Sequence, residues 1–178
     1  VALDLVSKRL VTDQLVLTVG YDIESLTNPD IRDSYHGDVT TDHYGRQVPK
    51  HAHGTANLDK FTSSTRQIMK AVASLYDRIV NPNLLIRRLT LTTNHVISEE
   101  SARTTSTTPI QLDLFTDYEA LEAQHKAEEE AQAKERRMQE TLLSIKSKFG
   151  KNSILRGLNL EEGATAIERN KQIGGHKA

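Results

Sequence analysis

Apolar positions change their spacing several times along the chain. Leu3, Val6 and Leu10 recur at helical spacing, which predicts a helix over the first ten residues. Leu15, Leu17, Val19 and Tyr21 then alternate with Val16, Thr18 and Gly20, the period of a strand with one buried face. Residues 23–50 carry no sustained period and are dense in Asp, Asn, Pro, Gly and Tyr, so they read as a long insertion or irregular hairpin. Residues 51–58 suit a second strand, in which Gly54 marks a bulge or a close backbone approach.

Thr62, Ser63 and Ser64 offer caps for a helix reaching about Val80. Ile68, Met69, Val72, Leu75, Tyr76, Ile79 and Val80 form its stripe, as on a helix packed against a sheet. Asn81-Pro82-Asn83 stops it, and Leu85 to Val96 follows as a strand. Leu85, Leu89 and Leu91 take one face of that strand; Arg88, Thr90, Thr92 and Asn94 take the other. The expected fold is therefore α+β, an antiparallel sheet with helices on one face and the other face open. An open polar face can be idle and solvated, or it can track phosphates, for which Arg87, Arg88 and the Thr and Asn side chains are suited.

Beyond residue 100 the pattern changes. Residues 101–110 are rich in Ser and Thr with one Pro, and read as a linker that separates a domain over 1–100 from the rest. Residues 111–115, Gln-Leu-Asp-Leu-Phe, have the make-up of a peptide ligand. The Gln111 amide can donate and accept at a pocket rim while Leu112, Leu114 and Phe115 enter an apolar groove. Docking of the same side chains onto the chain's own core is the competing reading. Residues 116–178 form a tail that opens on a long helix over 117–149, supported by Glu122 before Lys126 and Glu130 before Lys134. Its apolar anchors are Tyr118 and Leu121 at one end, and Met138, Leu142, Ile145 and Phe149 at the other. Lys146, Lys148, Lys151 and Arg156 add a local positive charge free of acids between Thr141 and Leu160.

Composition narrows the chemistry. Lys and Arg total 23 against 24 Asp and Glu in 178 residues, so the chain lacks the basic excess by which many nucleic-acid binders are recognised. The hydrophobic share is 37%, thin for one core of that length and suited to a smaller core with a solvated arm. The absence of Cys removes disulfides, thiolate metal sites and Cys nucleophiles. No apolar run approaches the roughly 18 residues that span a bilayer, and no signal-peptide pattern is present, so a cytoplasmic protein without membrane association is expected.

Gln111 to Phe115 resembles the clamp-binding pentapeptide of bacterial clamp-tethered polymerases. The residues before it resemble the little-finger domain of Y-family translesion DNA polymerases, of the UmuC/ImpB/MucB/SamB type from Gram-positive bacteria. Leu15 to Asp22, Lys50 to Leu58 with its capped helix, and Leu85 to Val96 carry the likeness, as does the ending from Gly150 to Ala178. The resemblance implies a domain that grips primer-template DNA through backbone contacts, with a first strand and most of a first helix ahead of Val1. It assigns phosphate contacts to Arg87 and Arg88, with Thr90, Thr92, His51 and His53 on the same DNA-facing sheet. Thr92 departs from the family, which often has a base there. The resemblance also implies a sliding-clamp partner for Gln111, Leu112, Leu114 and Phe115, in DNA repair and the SOS response. The parent would be a DNA-directed DNA polymerase using Mg in a palm N-terminal to this segment.

No catalytic residue and no metal ligand is expected within these residues. Two-metal catalysis needs carboxylates held a few ångströms apart, and Asp30, Asp33, Asp38 and Asp42 sit in an irregular segment. His51 and His53, with His36 and His43 nearby, fall short of a complete zinc set. Self-association is expected through an exposed sheet edge or the long helix. The rival expectation is a helical adaptor with no DNA role, in which the tail helix pairs with a partner helix.

Overall fold

The computed structural model describes residues 1–105, 118–173 and 176–177. The chain divides into two compact units, Val1–Ile110 and Gln111–Ala178. The first unit is α+β and is built on one strand, β1 (Leu10–Tyr21). On one side β1 pairs antiparallel with β4 (Ala52–Thr62), and on the other with β5 (Ile86–Asn94). A short β6 (Ile97–Ser98) continues the β5 side, pairing with Leu10 and Val11. The order β4-β1-β5 leaves β4 and β5 as the edges of this sheet.

The first helix is shorter than its periodicity suggests. Helix α1 (Ala2–Ser7) buries Leu5 and Val6, and Leu10 belongs to the strand. Arg9, at φ 52°, reverses the chain between the two. The strand extends five residues ahead of the expected Leu15 because Val11 and Thr12 are buried like the residues after them. The register with β4 shifts between the pairs Thr12–Thr62 and Gln14–Asn57, with the additional residues on β4, while Val11 keeps the same parity as the inward set Leu15, Leu17, Val19 and Tyr21.

Helix α4 (Thr65–Ile79) covers the inner face. Ser64 caps it, its Oγ accepting from the Gln67 N–H at 3.2 Å, an interaction of about 1 kcal/mol. Leu75 meets Leu17, Val19, Tyr21 and Leu84 in one core cluster, and Ile68 meets Leu5 and Leu15 in another. Val72 packs against both. Gly54 is a close approach and not a bulge: a Cβ there would stand 2.9 Å from Leu75 Cδ1 and 3.0 Å from Ile79 Cγ2. Met69, expected in the stripe, is exposed, because α4 lies chiefly over β4 and β1 and little over β5. For the same reason Leu89, which sits opposite inward-facing Val19, remains 58% exposed.

The insertion between β1 and β4 is ordered into small elements. Helices α2 (Glu24–Thr27) and α3 (Pro29–Arg32) lead into a hairpin of β2 (Val39–Thr41) and β3 (Gln47–Pro49). Ser25 is buried where its Oγ accepts from the Leu85 N–H at 3.0 Å, and Ile31 and Tyr35 pack against the core, so the insertion is anchored to the sheet. The Ser/Thr-rich stretch is also more structured than its composition suggests: α5 (Glu99–Thr105) occupies its first half. Residues 106–110 lie outside the described residues.

In the second unit α6 (Tyr118–Phe149) forms the long helix. Gln139 is buried and Leu142, Leu143 and Ile145 are half-buried, whereas the expected anchors Met138 and Phe149 are exposed. The tail beyond it holds a 3-10 turn (Gly157–Leu160), α7 (Ala166–Arg169) and a two-strand ribbon of β7 (Gln172–Ile173) and β8 (His176–Lys177). Asn152 ties two parts of this tail: its Nδ2 donates to the Ile167 carbonyl, and its Oδ1 accepts from Asn170 Nδ2 at 2.7 Å.

Candidate nucleic-acid interface

The face of the sheet opposite α4 is polar across all three strands. Strand pairing sorts its residues into rungs. His53, Thr18 and Thr90 lie side by side, as do Thr55, Val16 and Thr92, and then Asn57, Gln14 and Asn94. Thr18 Oγ1 is 2.9 Å from His53 Nδ1. Gln14 Nε2 donates to Asn57 Oδ1 at 2.9 Å while Gln14 Oε1 accepts from Asn94 Nδ2 at 3.0 Å. The amide rung therefore crosses the whole sheet, each amide oriented by the next. Gln14 and Asn57 were not singled out by sequence reasoning. Alternation in β1 and β4 held the signal, but it became a rung only once register placed the two residues opposite one another.

At the end of this face stand Arg87 and Arg88. Neighbouring residues of a regular strand point to opposite faces. Here Tyr21, which faces the core, pairs with Ile86, and Gly20, on the polar face, pairs with Arg88. Arg87 is the extra residue between them. Alternation from Ile86 turns it outward, and pairing with Gly20 turns Arg88 outward too. The bulge thus collects both guanidiniums on one face. A Cβ at Gly20 would meet Arg88 Cβ at 3.7 Å, an ordinary separation, so the pairing with Arg88 does not itself demand glycine. Arg87 Nη1 approaches Asp22 Oδ2 at 3.5 Å, an exposed and weak pair. Arg88 has no ion pair among the described residues.

His51 precedes β4 and His53 lies within it; both are exposed, with ring centroids 6.4 Å apart and near-perpendicular planes. Thr90 and Thr92 are exposed on β5. The structure thus brings together five of the six proposed DNA-contacting residues, Arg87, Arg88, Thr90, Thr92 and His53, on one face, with His51 at its rim. Gln111, Leu112, Leu114 and Phe115 lie outside the described residues.

The acids of the insertion have structural partners. Lys50 donates to Asp38 at 2.9 Å, and Arg46 makes two bonds to Asp42 Oδ2, from Nε at 2.8 Å and Nη2 at 2.6 Å. Hydrogen bonding to Lys50 holds the Asp38 carboxyl below its ordinary range, and hydrogen bonding to Arg46 does the same for Asp42. Among the described residues no group of three or more His, Cys, Asp or Glu is placed to hold a metal ion. No described helix is long and apolar enough to cross a membrane. The arrangement offers cations, hydroxyls, imidazoles and oriented amides on one face, groups able to contact anions.

No protein-family model, curated protein or solved structure matches the chain.

Proposed function

We propose that the chain is the DNA-binding and clamp-binding region of an error-prone Y-family DNA polymerase acting in translesion synthesis in the bacterial cytoplasm. The observation that carries the reading is the bulge at Gly20/Tyr21, which puts Arg87 and Arg88 on the same polar face as Thr90, Thr92 and His53. Two cations at one end and hydroxyls and amides along the rest suit contacts to successive phosphates with little sequence preference. The motif likeness of Gln111 to Phe115 supplies the second half: a peptide that tethers this surface to a sliding clamp. A tethered domain works at high effective concentration, so a nearly neutral chain needs only modest affinity of its own for DNA. The chemical step and its Mg belong, in this reading, to a palm outside these residues. Homotypic contact is proposed for the β5 edge, beside the exposed Leu89.

Two double variants test the reading. Arg87→Ala/Arg88→Ala should weaken primer-template binding and lower the salt slope by about 2, one for each phosphate left without its arginine. Gln111→Ala/Leu114→Ala should abolish clamp binding in a titration and leave DNA affinity intact. An unchanged salt slope in the first removes β5 from the interface. Normal clamp binding in the second removes the tether. A chain that binds no DNA, with concentration-dependent association of its tail helix, would favour an adaptor instead.

A further inference from the structure

The tip of the β2–β3 hairpin displays a tyrosine that the fold holds in place but does not bury. Tyr44 is 78% exposed, the most exposed of the large apolar and aromatic residues described. Its backbone is nonetheless fixed. Asp42 Oδ1 accepts from the Tyr44 and Arg46 N–H groups, each at 2.9 Å, and the Asp42 carbonyl accepts from the Gly45 N–H at 3.0 Å. Gly45 turns the tip at φ 78°, a conformation a side chain would resist. The Arg46 guanidinium, gripped by Asp42, lies over the Tyr44 ring at 5.1 Å from its centroid. The His43 ring meets its edge at 5.5 Å and 72°. One π-face of the tyrosine is thus backed by a cation, and the residue as a whole stays open to solvent.

The tip is continuous with the basic end of the sheet. β3 runs through buried Pro49 into Lys50 and His51, and the Lys50 N–H donates to the Asp38 carbonyl at 2.8 Å. Asp22, the neighbour of Arg87, also helps hold the Arg46 guanidinium in its charged form, behind the larger contribution from Asp42. Asp22 thus bears electrostatically on both Arg87 and Arg46.

We propose that Tyr44 is a stacking platform for an unpaired nucleobase at the single-stranded side of a duplex junction. The proposal rests on the DNA-binding reading above. A nucleobase fits where an apolar protein anchor does not: the tip is flanked by Thr41, His43 and Gln47 and offers no groove, yet a base needs only one flat face and a nearby place for its phosphate. Arg46 is held by Asp42 through Nε and Nη2, so it polarises the ring from behind, and Arg87 and Arg88 take the phosphates. Holding the tip rigid before binding lowers the ordering cost of capture.

The test compares a primer-template carrying a single-stranded overhang with the blunt duplex of the same sequence, using 2-aminopurine at successive overhang positions. Binding of the unaltered chain should favour the overhang substrate and quench the probe at one or two positions next to the junction. Tyr44→Ala should abolish that quenching and weaken overhang binding about ten-fold, an effect within the range for loss of one base–aromatic stack. It should leave blunt-duplex affinity and its salt slope unchanged, and Tyr44→Phe should behave like the unaltered chain. Equal overhang binding by the chain and Tyr44→Ala overturns the platform while leaving the DNA reading intact. Absence of binding to either substrate overturns both.

Discussion

Arg87 Nη1 stands 3.5 Å from Asp22 Oδ2, at the bulge that turns both Arg87 and its neighbour Arg88 onto the open face of the sheet. Asp22 pairs with one of the proposed phosphate contacts, and the pair is open to solvent, with Asp22 partly covered. Asp22→Asn should therefore strengthen DNA binding by about three-fold at low salt, an amount of the order of one exposed charge pair, with the gain fading as salt screens it. Arg88→Ala alone should reduce the salt slope by about 1. Equilibrium binding measured from 50 to 200 mM salt checks both. No gain for Asp22→Asn at the lowest salt would mean that phosphates do not pass this corner.

Gln14 is the centre of the amide rung. Its replacement by Ala removes both side-chain bonds to Asn57 and Asn94. The rung is on the outer face, so the loss of stability should stay near 1 kcal/mol. DNA affinity should fall while the salt slope holds, because no cation is removed. Denaturant unfolding and the same binding series separate the two effects.

Gly54 fixes the distance between α4 and the sheet. Gly54→Val would drive branched methyl groups into Leu75 and Ile79, whose atoms already crowd the position a Cβ would take. A loss of about 1–3 kcal/mol is expected, the usual range for overpacking. Urea unfolding should show a lower midpoint with an unchanged slope. An unshifted midpoint would show that α4 can ride away from β4 without consequence.

The hairpin tip should resist acid until the pH falls below the ordinary carboxylate value. Asp42 has its folded-state value lowered, chiefly by the hydrogen bond from Arg46. Its contribution is therefore fully present above the unfolded value of about 3.9 and is lost as pH falls through the lower folded value. Amide chemical shifts of Tyr44 and Arg46, followed from pH 7 to pH 2, should move only at the acid end of that range. Asp42→Asn should remove this acid-linked movement and loosen the tip at neutral pH.

Much of the domain was legible in the sequence. The stripe from Ile68 to Ile79, the Ser64 cap and the alternation from Leu15 to Tyr21 specify a helix on a sheet through local periodicity. The insertion was not legible, because α2, α3 and the hairpin are held by interactions remote in sequence, such as Ser25 to Leu85. Nor was the extent of β1: Val11 and Thr12 are both buried by the fold, and two buried neighbours in succession break the alternation that would have announced them. Met69 fell out of the core because α4 covers only part of the sheet.

The candidate face divides along the same line. Sequence alone determined that Arg88, Thr90, Thr92 and Asn94 share one side of a strand, since alternation is a property of the backbone. Only tertiary structure decided that Arg87 joins them, that Gln14 bridges Asn57 to Asn94, and that Ser25 anchors the insertion to the Leu85 N–H. Register, a single-residue bulge and the folding-back of a hairpin are relations between segments far apart in the chain. No local spacing encodes them.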